Sequence, residues 1–149
     1  MTADEILLLE QSYSESKIQH TCVCWFRTTF PHLGNLLYAI PNGGYRTPKG
    51  GAMLRYEGAL SGVADLCLAY PYNGKGALYV EMKVPKRKGS SAGKQSDNQK
   101  SWQEAVTKYG NEYKICRGLV EFIGIVCEYL CVDKSELVEE ACDQYPIYL

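Results

Sequence analysis

Apolar positions along the chain alternate between a period of 3.6 and a period of 2, which predicts helices interleaved with short strands. After a leader over residues 1–12 with a short apolar run, Ile6 to Leu9, one helical stripe is kept by Ile18, Cys22, Trp25, Phe26 and Thr29. A first helix is therefore predicted from about Tyr13 to Thr29, with Ser12 and Glu15 at capping-box spacing and Pro31 as its end. Leu36 to Ile40 reads as a strand, and Lys49 to Leu60 as a short helix stopped at Gly58. Residues 66–70 and 77–84 are two short apolar runs parted by Pro71, Asn73, Gly74 and Gly76, which predicts an antiparallel hairpin with an Asn-Gly turn. Ser96 and Gln99 again have capping-box spacing; they open a helix with Trp102, Ala105, Val106 and Tyr109 as its expected buried stripe and Gly110 as its stop. Glu112 to Cys116 reads as a last strand. Leu119, Phe122, Ile123, Val126, Cys127 and Leu130 then make an amphipathic helix that either closes the core or offers a dimer face. A final short helix, capped by Asp133 and Glu136, carries Leu137, Val138 and Ala141. This order predicts an α/β sandwich, a small mixed sheet with helices on both faces and a site at the ends of the central strands.

Composition bounds the picture. At 149 residues the chain is expected to form one domain, residues 1–149. The formal net charge of −1 does not announce a nucleic-acid binder, but the charges are unevenly placed. Lys83, Lys86, Arg87, Lys88, Lys94 and Lys100 face only Asp97 in one stretch, while the segment after Glu128 is acidic. The start is acidic where a signal peptide would be basic, and no run of about 20 apolar residues is present, so no membrane segment is expected. Seven cysteines without zinc-ligand spacing read as reduced thiols, which fits a cytoplasmic compartment. His20 and His32 read as surface histidines.

The hairpin carries the candidate chemistry. Glu81 and Lys83 share one strand face, opposite to Val80, Met82 and Val84. Folding about Asn73 and Gly74 places Asp65 opposite Met82, within one residue. An odd-length loop or a bulge would instead put Asp65 on the face of Glu81 and Lys83. Two carboxylates that close repel, and one takes up a proton unless a cation lies between them. An all-oxygen pair suits Mg²⁺ or Mn²⁺, and a lysine beside it can orient water or offset charge on a phosphate. The plain alternative is a salt-bridged strand end at the surface. Directly after Lys83, a Pro-, Gly- and Ser-rich loop carries Lys86, Arg87, Lys88 and Lys94, placed to grip a phosphate backbone.

Asp65 followed by Glu81, Met82 and Lys83 resembles the PD-(D/E)xK nuclease signature. The wider pattern is more specific: Asn42, Gly43 and Gly44 with Arg46, then Gly62 to Asp65, then Glu81 to Lys83, then Gln99 with Trp102, and a Gly110 turn before a strand ending near Arg117. Over about residues 12–118 this resembles the VRR-NUC (virus-type replication-repair nuclease) branch of that superfamily. One departure is Ala64, where the pattern usually has proline; that proline shapes the strand entry and supplies no ligand. The resemblance implies a restriction-endonuclease-like αβββαβ core with an extra C-terminal helical extension over about 119–149. It implies Mg²⁺ or Mn²⁺ held by Asp65, Glu81 and the Met82 carbonyl, Lys83 and Gln99 at the catalytic centre, and Glu15 assisting the metal unless it only caps its helix. Asn42 and Arg46 would flank the site on the DNA side. It further implies DNA as partner and substrate, structured or branched, often with a homodimeric enzyme, and a phage or prophage setting. A non-cleaving DNA-binding protein and a metal-stabilised structural domain remain open alternatives.

Overall fold

The computed structural model describes residues 1–41 and 48–149. The leader folds as a helix, α1 (Ala3–Glu10), opened by a reciprocal capping box between Thr2 and Glu5. It buries Ile6 and Glu10. The next helix, α2 (Glu15–Thr29), starts two residues later than predicted, and its cap is Ser14, whose Oγ accepts from the Lys17 amide at 3.1 Å. The expected pairing of Ser12 with Glu15 is thereby corrected. Ser12 lies within reach of the unpaired carbonyls at the end of α1 and donates to Leu9 O at 2.8 Å. Glu15 is left at the first turn of α2 with its carboxylate uncommitted to capping.

A 3₁₀ helix (Pro31–Leu36) leads into β1 (Leu37–Ala39). The following elements are α3 (Pro48–Tyr56), β2 (Leu66–Leu68), β3 (Leu78–Met82), α4 (Asp97–Lys108), β4 (Glu112–Cys116), α5 (Leu119–Leu130) and α6 (Ser135–Gln144). The four strands form one sheet in the order β1-β2-β3-β4. The first three are antiparallel, and β4 is parallel to β3, with α4 as the crossover that parallel pairing requires. This is the small mixed sheet flanked by helices that the sequence predicts.

One sheet face makes the core. Leu37, Leu66, Leu68, Leu78, Val80 and Met82 join Ile18, Cys22, Trp25 and Phe26 of α2 and Phe122, Ile123 and Val126 of α5. Trp25 meets Phe122 edge-on with ring centroids 6.0 Å apart. Burial of each such side chain stabilises by roughly 1.5–3 kcal/mol. The apolar face of α5 is spent on this core. The cysteines are all free. Among the described residues no helix is long and apolar enough to cross a membrane.

The other sheet face carries α4. Trp102 packs edge-on against Tyr79 at 4.8 Å and reaches Tyr113 at 6.0 Å. No residue of α4 is buried, and Ala105 and Tyr109, expected in its stripe, are exposed, Tyr109 by 79%. Among the described residues nothing covers the outer side of α4, so its burial contracts to the flank near Trp102.

The tip of the β2–β3 hairpin decides which residues share this second face. Tyr72 pairs with Lys75 around Asn73 and Gly74, whose φ values of 47° and 79° are those of a tight type I′ turn. Inside the strands the pairing is Leu68 with Leu78 and Leu66 with Val80. Three residues, 69–71, therefore stand against two, 76 and 77, which is a one-residue bulge containing Pro71. The plain register would have set Asp65 opposite Met82. The bulge corrects it by one step, so that Asp65 faces Glu81.

Candidate active site

Asp65 sits at the entry to β2, where its carbonyl accepts from the Ile40 amide at 2.8 Å and prolongs the β1–β2 ladder. Its Oδ2 accepts from the Met82 amide at 2.7 Å. The aspartate is thus tied to the backbone of the strand that carries Glu81. Met82 itself turns its side chain into the core.

Glu81 is only 3% exposed. Its Oε1 accepts from Gln99 Nε2 at 2.7 Å and lies 3.8 Å from Lys83 Nζ. Among the described residues its Oε2 is buried without a hydrogen-bond donor. Burial, and then the charge of Asp65, push the Glu81 carboxyl up to about 8, against the opposing pull of Lys83. Gln99 serves two ends at once. Its Oε1 accepts from the Ser96 amide at 2.9 Å to close the capping box of α4, and this leaves the amide nitrogen directed at Glu81. One side chain thus both closes the cap and contacts Glu81.

Lys83 follows β3 and is largely covered. A Cβ added to Gly93 would lie 3.5 Å from Lys83 Cδ, so the basic loop folds back across the lysine stem. Glu15 approaches from α2. Burial and the charge of Asp65 raise its carboxyl above the ordinary range, and Lys83 and the Val84 amide oppose that rise. Among the described residues no three His, Cys, Asp or Glu side chains gather closely enough to cage an ion.

The sequence-predicted phosphate contacts divide. Lys86, Lys88 and Lys94 are exposed on the loop after Lys83. Arg87 turns inward, donating to the Tyr13 carbonyl, with its Nε buried and unpaired. Arg117, at the end of β4, donates to Gly93 O at 2.9 Å and so ties the loop down. Asn42 and Arg46 lie outside the described residues.

Gly62 joins the aspartate segment to α4. Its φ is +93°, and a Cβ there would stand 2.5 Å from the Asn98 backbone. Asn98 Nδ2 also donates to Ser61 Oγ at 3.1 Å. The approach to Asp65 and the helix start that presents Gln99 are therefore one packed unit. Sequence reasoning missed Gln95, whose Nε2 donates to Gln103 Oε1 and to the Tyr113 hydroxyl beside the carboxylates. The available signal was the position of Tyr113 in β4, level with Tyr79 on the Glu81 face.

Asp65 thus faces Glu81 across the β2–β3 pair, and Lys83 follows Glu81 by two residues. The family model of the VRR-NUC domain matches residues 13–119. The chain belongs to the VRR-NUC family. A solved structure described as a VRR_NUC domain protein superposes with a TM-score of 0.66 at 18% identity, over 81% of this chain and 91% of the other. At that identity the likeness shows the shared fold. No curated protein matches. The VRR-NUC segment holds every described candidate residue, while α1 and all of α5 but its first residue lie outside it.

Proposed function

We propose that this protein is a divalent-metal-dependent nuclease that hydrolyses phosphodiester bonds of DNA, and that residues 1–149 act as one domain. The observation that carries the reading is the pairing of Asp65 with Glu81, whose buried Oε2 has no donor among the described residues. A buried carboxylate oxygen with no donor, beside a second carboxylate, is strongly disfavoured unless it binds a proton or a cation. The all-oxygen donor set fits a hard cation such as Mg²⁺ or Mn²⁺. Asp65, Glu81 and the Met82 carbonyl would hold it, with Glu15 nearby. When bound, such an ion supplies Lewis-acid polarisation of the scissile phosphate and a lowered pKa for water.

The chain supplies the rest. Lys83, 15% exposed at its side chain and 3.8 Å from Glu81, orients the attacking water and offsets the negative charge that grows on the phosphate. Gln99 holds Glu81 in one rotamer through a bond fixed by the helix cap. Lys86, Lys88 and Lys94 bind backbone phosphates, which positions the DNA without reading its sequence. Arg87 and Arg117 hold the loop that presents them. Asn42 and Arg46 complete the DNA side of the site in this reading. The family resemblance extends it to structured or branched DNA in phage replication, recombination or repair, to a cytoplasmic site of action, and to a homodimer.

The test is cleavage of labelled single-stranded, duplex, flap and four-way-junction DNA with Mg²⁺, Mn²⁺ or chelator. Wild type should cut in a metal-dependent way, and Glu81→Ala and Lys83→Ala should not. Intact binding with no cutting of any substrate by wild type would replace this reading with that of a non-catalytic DNA-binding protein.

A further inference from the structure

The helix α3 stands apart from the rest of the fold. None of its residues is buried, although it separates β1 from the strand that carries Asp65. Its Leu54, with Gly58 just beyond its end, lines a groove of about 350 Å³ with Ile40, Pro41, Leu60 and Val63. Ile40 donates its amide to Asp65 O, and Val63 lies two residues before Asp65. The base of α3 therefore borders the chain segments that lead into Asp65. Its outer side carries Met53 and Tyr56, three residues apart and so on one helix face, exposed by 53% and 88%. Among the described residues the Tyr56 ring has no ring partner and its hydroxyl no hydrogen bond. The charges on the helix are Lys49, Arg55 and, just after it, Glu57, which leaves a small positive excess toward a polyanion.

An aromatic ring that contributes nothing to the core is well suited to stack on a nucleobase. In intact duplex the base faces are already stacked, so such a ring can reach only a base that is unpaired.

We propose that Tyr56, on the outer face of α3, stacks on an unpaired base of the bound DNA beside the scissile phosphate, so that the site selects DNA with a single-stranded segment at that place. This rests on the nuclease reading of Asp65 and Glu81. Tyr56 makes the selection by binding and takes no part in bond breaking.

The experiment is equilibrium binding in the Glu81→Ala background, where cleavage cannot interfere. The probes are a blunt duplex and the same duplex with a short gap carrying 2-aminopurine as the unpaired base. Tyr56→Ala should weaken binding of the gapped DNA about 10-fold, or ~1.4 kcal/mol, and abolish the quenching of the 2-aminopurine on binding. Blunt duplex should lose no more than about twofold, and Tyr56→Phe should keep both the affinity and the quenching. Tyr109→Ala is the control. Tyr109 is a second highly exposed tyrosine, at the far end of α4, roughly 15 Å along that helix from Gln99. Equal loss on both DNAs, or no loss on either, would overturn the stacking role and leave the nuclease reading standing. Failure of the Glu81→Ala protein to bind any DNA would overturn both.

Discussion

Gln99 and Glu81 are joined by a 2.7 Å hydrogen bond whose direction is set by the cap of α4. Because Gln99 Oε1 already accepts from Ser96, only its nitrogen remains for the carboxylate. Cap and site can be separated by mutation. Ser96→Ala removes the hydroxyl that accepts from the Gln99 amide and should cost about 1 kcal/mol of stability. It leaves the Ser96 N–H to hold Gln99 Oε1, so cleavage should stay within a few-fold of wild type. Gln99→Ala should cost a similar amount of stability but lower kcat about 10- to 100-fold. Thermal melts alongside single-turnover cleavage make the comparison, and equal kcat in the two variants would remove the positioning role of Gln99.

Gly62→Ala should damage the site through the backbone. The substitution meets both a φ of +93° and an Asn98 backbone 2.5 Å from the new Cβ. The expected loss is about 1–3 kcal/mol, together with a marked fall in activity as the Asp65 approach is forced off α4. Gly58 has a similar φ, +108°, with nothing within 4 Å of its Cβ, so Gly58→Ala carries the strain without the collision. Gly62→Ala should therefore have the lower Tm. A ranking in the other order would show that the contact yields at no cost.

Removing the charge of Glu81 should stabilise the metal-free protein. Its carboxyl is buried next to Asp65 and lifted to about 8. In chelator at pH 9, Glu81→Gln should melt higher than wild type, by on the order of 1 kcal/mol. Mn²⁺ should raise the Tm of wild type and leave the variant nearly unchanged. Calorimetric melts with and without Mn²⁺ decide it. An equal metal response in both proteins would place the ion elsewhere.

Glu10 sets a pH dependence of its own. It is buried in α1, and its Oε1 accepts from the Leu119 amide at the start of α5 at 2.9 Å. Burial lifts its carboxyl to about 7, from an ordinary value near 4.5. A folded-state pKa above the unfolded one means that the folded protein binds the extra proton. The stabilisation is then complete below about pH 4.5 and is lost as pH rises through 7. The full change is on the order of 3 kcal/mol. Glu81 acts with the same sign, up to about pH 8, in chelator. Urea unfolding at pH 5, 7 and 9 in chelator should show wild type weakening with pH and Glu10→Gln weakening less. Parallel slopes would show that Glu10 does not titrate in this range.

Much of this architecture was legible because periodicity reports burial. The stripe Ile18, Cys22, Trp25 and Phe26 and the run Leu119 to Leu130 were plain for that reason, and both pack in the core. β4 was legible to the residue, since Gly110 and Arg117 bracket it. The stripe of α4 misled, because Ala105 and Tyr109 have the spacing of a buried face while the sheet beneath the helix is too small to cover them. At α2, Ser12 and Ser14 are equally good caps by type, and only the position of the α1 carbonyls decides between them. The candidate site was legible as Asp65, Glu81, Lys83 and Gln99, whose spacing carries the chemistry. Their convergence was legible only as one of two registers, because the bulge beside Pro71 depends on counting residues between two pairings that appear only in three dimensions.

That bulge couples the carboxylate pair to the core. The residues that set the β2–β3 register from within are Leu66, Leu68, Leu78 and Val80, all buried. A slip of one residue would turn these side chains out to water at the same moment that it parted Asp65 from Glu81. A misregistered chain that keeps its core but lacks its carboxylate pair is therefore excluded by the same free energy that folds the domain. Assembly of the pair is all-or-none: every molecule that completes its hydrophobic core has, by that act, set Asp65 against Glu81.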